Sequence, residues 1–218
     1  MSGLSELVGV VDDDQSVRRG LRRLFRSAGY AAETFDSAED YLARELFDGP
    51  TCLVLDVRMP GLNGLGLQKE LEARGGCEQI IFITGHKDVP TATQAMKNGA
   101  VDFLLKPFDS DELIDAVKKA LLRGKERLGK RAERRRARAL IDKLTPREFE
   151  VLRFVIIGLL NKQIAAELKT AEKTVKVHRG RVMQKLGLTS VPDLVRFTQT
   201  AGVSPAGAQH GTKVHYPA

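Results

Sequence analysis

The chain has 218 residues, 42% of them apolar, and a formal charge of +7. That apolar share can build real cores, which excludes a wholly disordered chain, while the longest apolar run, Phe154–Leu160, is far too short to span a bilayer. Two cysteines, Cys52 and Cys77, exclude a disulfide scaffold and lack metal-ligand spacing, and no basic-then-apolar leader opens the sequence, so a cytoplasmic protein with no membrane partner is expected.

From the N-terminus, apolar runs at Leu7–Val11, Cys52–Leu55, Ile80–Ile83 and Val101–Leu105, with a weaker one near Tyr30–Phe35, read as buried strands. Helical patterns at Ser16–Ala28, Ala38–Leu46, Gly64–Ala73, Pro90–Asn98 and Asp109–Leu122 alternate with them. Strands alternating with helices require right-handed crossovers and a parallel sheet covered on both faces. Residues 1–122 therefore predict an α/β domain built on a doubly wound, five-stranded parallel sheet.

Residues 123–143 form a basic segment with two glycines among good helix formers, expected to be a partly helical linker. No strand signal remains beyond it. Thr145-Pro146-Arg147-Glu148 is a helix start, with Thr as cap, Pro at the first position and Glu three residues on. Helical patterns follow at Asn161–Leu168, Thr174–Leu186 and Val191–Ala201, so residues 144–202 predict a small all-α domain. Residues 203–218, rich in Gly, Ala and Pro, are expected to be a disordered tail.

The charge follows this division. Residues 1–121 carry 14 basic and 20 acidic side chains, residues 122–143 carry 10 and 3, and residues 144–218 carry 11 and 5. An acidic front and a basic rear point to two modules, the second meeting a polyanion.

In an open parallel sheet the ligand site lies at the carboxyl edge of the strands. On that edge the sequence sets Asp12 and Asp13, Asp56, Thr84 and Lys106. Three carboxylates beside one ammonium call for a cation or protons, and a hard divalent ion such as Mg²⁺ suits an all-oxygen donor set that awaits a phosphate. One carboxylate can then attack phosphorus, with Thr84 and Lys106 supplying a hydroxyl and a charge to the phosphoryl oxygens.

Val10-Val11-Asp12-Asp13-Asp14, Leu55-Asp56-Val57-Arg58-Met59-Pro60-Gly61-Leu62-Asn63-Gly64, Ile83-Thr84-Gly85-His86 and Phe103-Leu104-Leu105-Lys106-Pro107-Phe108 resemble the receiver domain of two-component response regulators. The resemblance, over roughly residues 5–125, implies a flavodoxin-like fold. It implies that Asp56 accepts a phosphoryl group from a sensor histidine kinase, and that Asp13, Asp56 and the Arg58 backbone carbonyl bind Mg²⁺ with Asp12 assisting. Lys106 would pair with the phosphate, its bond to Pro107 would be cis, and Phe103 would be the switch aromatic that follows Thr84. Gly85 leaves room for the phosphoryl donor. Arg58 and His86 flank the path of attacking water and are expected to set the acyl-phosphate lifetime.

In the rear domain, Val175, Val182 and Leu186 fall on one face of a helix, while Lys173, Val177 and Gln184 point the other way with Lys176 and Arg181 at the flanks. Leu144-Thr145-Pro146-Arg147-Glu148, Asn161-Lys162-Gln163-Ile164-Ala165 and Glu172-Lys173-Thr174-Val175-Lys176-Val177-His178-Arg179 resemble the LuxR-type helix-turn-helix. Together the halves resemble the NarL/FixJ class, the receiver being closest to FixJ. The resemblance implies double-stranded DNA contacts by Lys173, Thr174, Lys176, Val177, Arg181, Gln184 and Lys185. Two departures stand out: Gly180 sits where the related pattern has a groove-facing lysine, and Ala171 replaces the usual Ser cap, at a cost of about 1 kcal/mol unless Thr170 substitutes.

The expectation is a transcription regulator that dimerises on phosphorylation through the face at roughly Pro90–Leu122, binds promoter DNA and has RNA polymerase as a further partner. No enzyme is expected: an aspartate-based phosphatase needs a carboxylate two residues after the nucleophile, where Arg58 stands.

Overall fold

The computed structural model describes residues 6–45, 47–85 and 89–207. The chain divides into two compact units, Met1–Gly129 and Lys130–Ala218. The first contains β1 (Leu7–Val11), α1 (Gln15–Ser27), β2 (Ala31–Phe35), α2 (Ala38–Ala43), β3 (Thr51–Asp56), α3 (Gly64–Ala73), β4 (Gln79–Thr84), α4 (Val89–Lys97), β5 (Asp102–Leu105) and the first turns of α5 (Ser110–Ile141). All strand pairs are parallel, in the order β2-β1-β3-β4-β5.

Side-chain alternation along each strand makes two cores. Val8, Val10, Cys52, Val54, Ile81 and Ile83 pack with Phe25 of α1 and Leu113, Val117 and Leu121 of α5. Val11, Leu53, Leu55, Ile80 and Phe82 pack with Tyr41, Leu67, Leu71 and Ala95 of α2, α3 and α4. Burial on both faces explains why these strands read as uninterrupted apolar runs rather than as alternating ones.

Three segments of the chain depart most from expectation. Helix α2 ends at Ala43 because Arg44 turns extended, its guanidinium donating to Tyr41 Oη (2.8 Å) and Glu78 Oε1 (3.2 Å); Leu46, expected at the helix end, lies outside the described residues. Helix α5 is continuous for 32 residues to Ile141, so the segment 123–141 is helical throughout and Gly124 and Gly129 sit inside it. Strong helix formers around the two glycines outweigh a loss of about 1 kcal/mol at each. Residues 203–207, expected to be disordered, are held: Val203 is buried, and Arg153 donates to the carbonyls of Ser204 (3.0 Å) and Pro205 (2.8 Å). The remaining tail, 208–218, lies outside the described residues.

The second unit contains the last turns of α5, then α6 (Pro146–Val155), α7 (Asn161–Glu167), α8 (Glu172–Leu186) and α9 (Val191–Ala201). Its core gathers Ala137 and Ile141 of α5 with Val151, Leu152, Ile164, Val175, Val182, Leu186 and Leu194. Thr145 and Glu148 close a reciprocal capping box at the start of α6. Helix α8 starts two residues earlier than its apolar spacing predicts, since Ala171 holds the extended cap conformation and Glu172 and Lys173 complete the first turn.

Candidate functional site

The register sets Val11 beside Leu55, Leu55 beside Phe82 and Thr84 beside Leu105, so the residues that end four strands share one edge. Lys106 Nζ donates to Asp12 Oδ2 (2.6 Å) and to Asp56 Oδ1 (2.7 Å). The Lys106 N–H donates to the Thr84 carbonyl (2.7 Å), and the Lys106–Pro107 peptide bond is cis. Asp12 Oδ1 accepts the Asp14 N–H (2.9 Å) and Asp56 Oδ2 accepts the Arg58 N–H (2.7 Å). Thus Asp12, Asp56, Thr84 and Lys106 come together, Asp13 is exposed beside them, and Thr84 is buried. Phe103 is partly buried, its ring centroid 6.3 Å from that of Phe82. His86 lies outside the described residues.

Two carboxylates around one ammonium leave an excess of negative charge. Burial pushes the Asp12 carboxyl above its ordinary range, and the Lys106 and Asp14 hydrogen bonds only partly offset it. For Lys106 burial works the other way, but the hydrogen bonds and charges of Asp12 and Asp56 outweigh it and raise its pKa. Among the described residues no three His, Cys, Asp or Glu side chains are gathered closely enough to cage a metal ion. The donors nonetheless fit Mg²⁺ in kind: all are hard oxygens, and Mg²⁺ is ordinarily held by one or two carboxylates with waters filling the rest. Cys52 takes no part, being a core residue whose thiol burial pushes up.

In the rear unit the apolar face of α8, Val175, Val182 and Leu186, is buried, and Lys173, Thr174, Lys176, Val177, Gly180, Arg181 and Gln184 are exposed. Lys185, expected among the DNA-facing residues, is committed elsewhere. Its ammonium donates to Glu148 Oε2 (2.6 Å) and the Lys143 carbonyl (3.3 Å), because the buried Glu148 carboxylate needs a partner more than solvent can supply one. Arg179 donates to Asn161 Oδ1 (3.2 Å) at the α7–α8 junction. Ala171 makes no side-chain cap to α8.

Residues 8–118 match the family described as response regulator receiver domain, and residues 142–198 match bacterial regulatory proteins of the luxR family. The chain is 48% identical over 198 residues to nodulation protein W of Bradyrhizobium diazoefficiens, covering 91% of this chain and 87% of that protein. It is 45% identical over 199 residues to the transcriptional regulatory protein FixJ of Azorhizobium caulinodans, covering 91% and 94%. The chain belongs to the NarL/FixJ class of two-component response regulators.

Among solved response regulators, StyR superposes with a TM-score of 0.76 at 48% identity, covering 89% of this chain and 98% of that one. Full-length FixJ from B. japonicum gives 0.53 at 38%, covering 90% and 97%. Within this response regulator, two positioning residues escape a reading of strand-end chemistry. Arg18 Nη1 donates to the carbonyls of Asp12 (2.7 Å) and Asp13 (2.9 Å), pinning the acidic turn; only its place one turn into α1 hints at this. A Cβ on Gly64 would lie 2.3 Å from the Asp56 carbonyl oxygen, so the start of α3 packs directly on the end of β3. No helix among the described residues is long and apolar enough to cross a membrane.

Proposed function

We propose that this response regulator takes a phosphoryl group onto Asp56 from a phosphohistidine of a sensor histidine kinase and, so modified, dimerises and binds promoter DNA. The observation that carries the reading is the bridge from Lys106 Nζ to both Asp12 and Asp56 at the sheet edge, beside Thr84. An Asp56 carboxylate oxygen attacks phosphorus while the phosphorus–nitrogen bond breaks and the imidazole leaves with its electron pair. Asp13, Asp56 and the Arg58 carbonyl would hold Mg²⁺ with Asp12 assisting, and the ion supplies charge neutralisation to the phosphoryl oxygens. Lys106 pairs with one phosphoryl oxygen and Thr84 donates its hydroxyl to another, with Phe103 following Thr84 inward.

That shift remodels the face at roughly Pro90–Leu122, where Val89, Met96 and Leu105 are exposed apolar side chains that pairing would cover. Pairing brings two α8 helices to adjacent half-sites. Lys173, Lys176 and Arg181 meet phosphates, Thr174 and Gln184 meet base edges, and the exposed Val177 suits a thymine methyl. RNA polymerase is the partner such a promoter-bound dimer would engage.

The test is molar mass by light scattering with and without Mg²⁺ and BeF₃⁻, for the wild type and Asp56→Asn. A monomer-to-dimer shift in the wild type alone is expected. Equal masses under all four conditions would show that phosphorylation does not drive pairing.

A further inference from the structure

Helix α5 carries Arg131, Arg134, Arg135 and Arg138 at i, i+3, i+4 and i+7, a spacing that puts them on one face. Within the rear unit these four side chains line a cleft of about 470 Å³ whose remaining walls are Ala201 and Gly202, at the end of α9. Gly202 has φ +69°, and a Cβ there would come within 2.9 Å of Arg134 Nη2, so its bareness gives the guanidinium its seat. Among the described residues no carboxylate lines the cleft. Asp142 meets Arg138 Nε at 3.2 Å, while among the described residues neither Arg134 nor Arg135 forms an ion pair. Neighbouring guanidinium groups such as Arg134 and Arg135 repel one another and lower that cost by binding an anion.

We propose that this arginine face is a second DNA-backbone site, separate from the recognition helix; the proposal rests on the DNA-binding reading above. Three observations favour duplex phosphates over an acidic protein surface. Residues 130–218 carry 18 basic and 7 acidic side chains, so the whole unit is built to meet a polyanion. Helix α8 is short of cations, since Lys185 is committed to Glu148 and Arg179 to Asn161, leaving Lys173, Lys176 and Arg181. The carbonyl of Lys143, just past α5, accepts from Lys185 in the last turn of α8. At a rise of 1.5 Å per residue, Arg138 lies about 8 Å and Arg131 about 18 Å along the chain from that contact, a spread of about three phosphates along one strand.

The test compares binding of a random-sequence DNA duplex by the wild type and by Arg131→Gln/Arg134→Gln/Arg135→Gln/Arg138→Gln across about 50 to 200 mM salt. Gln keeps the helix propensity, and far-ultraviolet circular dichroism checks the fold. The slope of log K against log salt should become shallower by about 2 to 3 in the variant, at about 0.9 per lost phosphate contact. The four-fold Arg→Lys variant should restore most of it. A wild type that binds with a steep slope unchanged in the Gln variant overturns this inference alone, and if that variant instead loses self-association the face belongs to a second copy. A wild type that binds no duplex overturns the DNA-binding reading and this site with it.

Discussion

Lys185, in the last turn of the recognition helix, holds its ammonium 2.6 Å from Oε2 of Glu148, in the first turn of the helix that opens the domain. Glu148 is 2% exposed, and the same oxygen accepts the Thr145 N–H at 2.8 Å, so one carboxylate serves both a cap and an ion pair. A residue whose position reads as a DNA contact thus clamps α8 to α6.

Lys185→Met is expected to destabilise the rear unit by about 1–3 kcal/mol, less than a fully buried pair because the lysine side chain keeps some solvent. Burial opposes the Glu148 charge, yet the Lys185 and Thr145 hydrogen bonds prevail and hold its carboxyl below its ordinary 4.5. A depressed acid contributes stability above its unfolded value and loses it as pH falls through the folded one. The gap in melting temperature between wild type and variant should therefore be full above pH 4.5 and narrow on acidification. The salt dependence of DNA binding should be unaffected by Lys185→Met, whereas Lys173→Ala should reduce its slope by about 1.

Which parts of this were legible in the sequence has a physical pattern. The five strands and the edge residues Asp12, Asp56, Thr84 and Lys106 were readable, because burial on both sheet faces writes continuous apolar runs and the chemistry sits where those runs stop. The recognition helix was readable because Val175, Val182 and Leu186 keep a helical period. Contacts between side chains far apart in sequence were not: nothing in the spacing of Glu148 and Lys185, or of Arg18 and the Asp12–Asp13 turn, announces that they meet. The continuity of α5 was obscured by Gly124 and Gly129, whose low propensity is a weak local signal against 32 residues of context.

Asp12→Asn should stabilise the front unit while abolishing its response to Mg²⁺ and BeF₃⁻. The Asp12 pKa is raised by burial, so the proton-bound form suits the fold, and the corresponding stability is lost as pH rises through the folded value. Asn removes that loss. The melting temperature of the variant should exceed that of the wild type by a few degrees at neutral pH, and the difference should vanish below pH 3.8, the ordinary value. A variant no more stable than wild type at neutral pH would show that the Lys106 bridge already compensates the buried charge.

Gly64→Ala should be poorly tolerated although its backbone is ordinary. The new Cβ would sit 2.3 Å from the Asp56 carbonyl oxygen and 3.1 Å from the Phe82 ring, with no flexible group at the first contact to give way. Displacing α3 costs about 1–3 kcal/mol by the usual penalty of overpacking, and it moves the strand end that carries Asp56. Denaturant unfolding should show the loss, and phosphorylation of the folded fraction by a small-molecule donor should slow. Gly85→Ala gives the contrast: among the described residues a Cβ there meets nothing within 4 Å, so stability should hold while transfer from the bulkier kinase donor falls.

The recognition helix itself is improvable at two points. Ala171 occupies its N-cap with φ −79° and ψ 144° but offers no side-chain acceptor, so Ala171→Ser should add about 1 kcal/mol by accepting a first-turn N–H. Gly180 is exposed mid-helix with open space where a Cβ would go, so Gly180→Ala should add about 1 kcal/mol through helix propensity alone. Gly180→Lys should give much of that stability and, in addition, a steeper salt dependence of DNA binding by about 1 if the position faces phosphates. Thermal unfolding and salt titration on the same three proteins separate the two effects: Ala raises stability without moving the slope, and Lys moves both. A lysine that leaves the slope untouched would place Gly180 away from the DNA backbone.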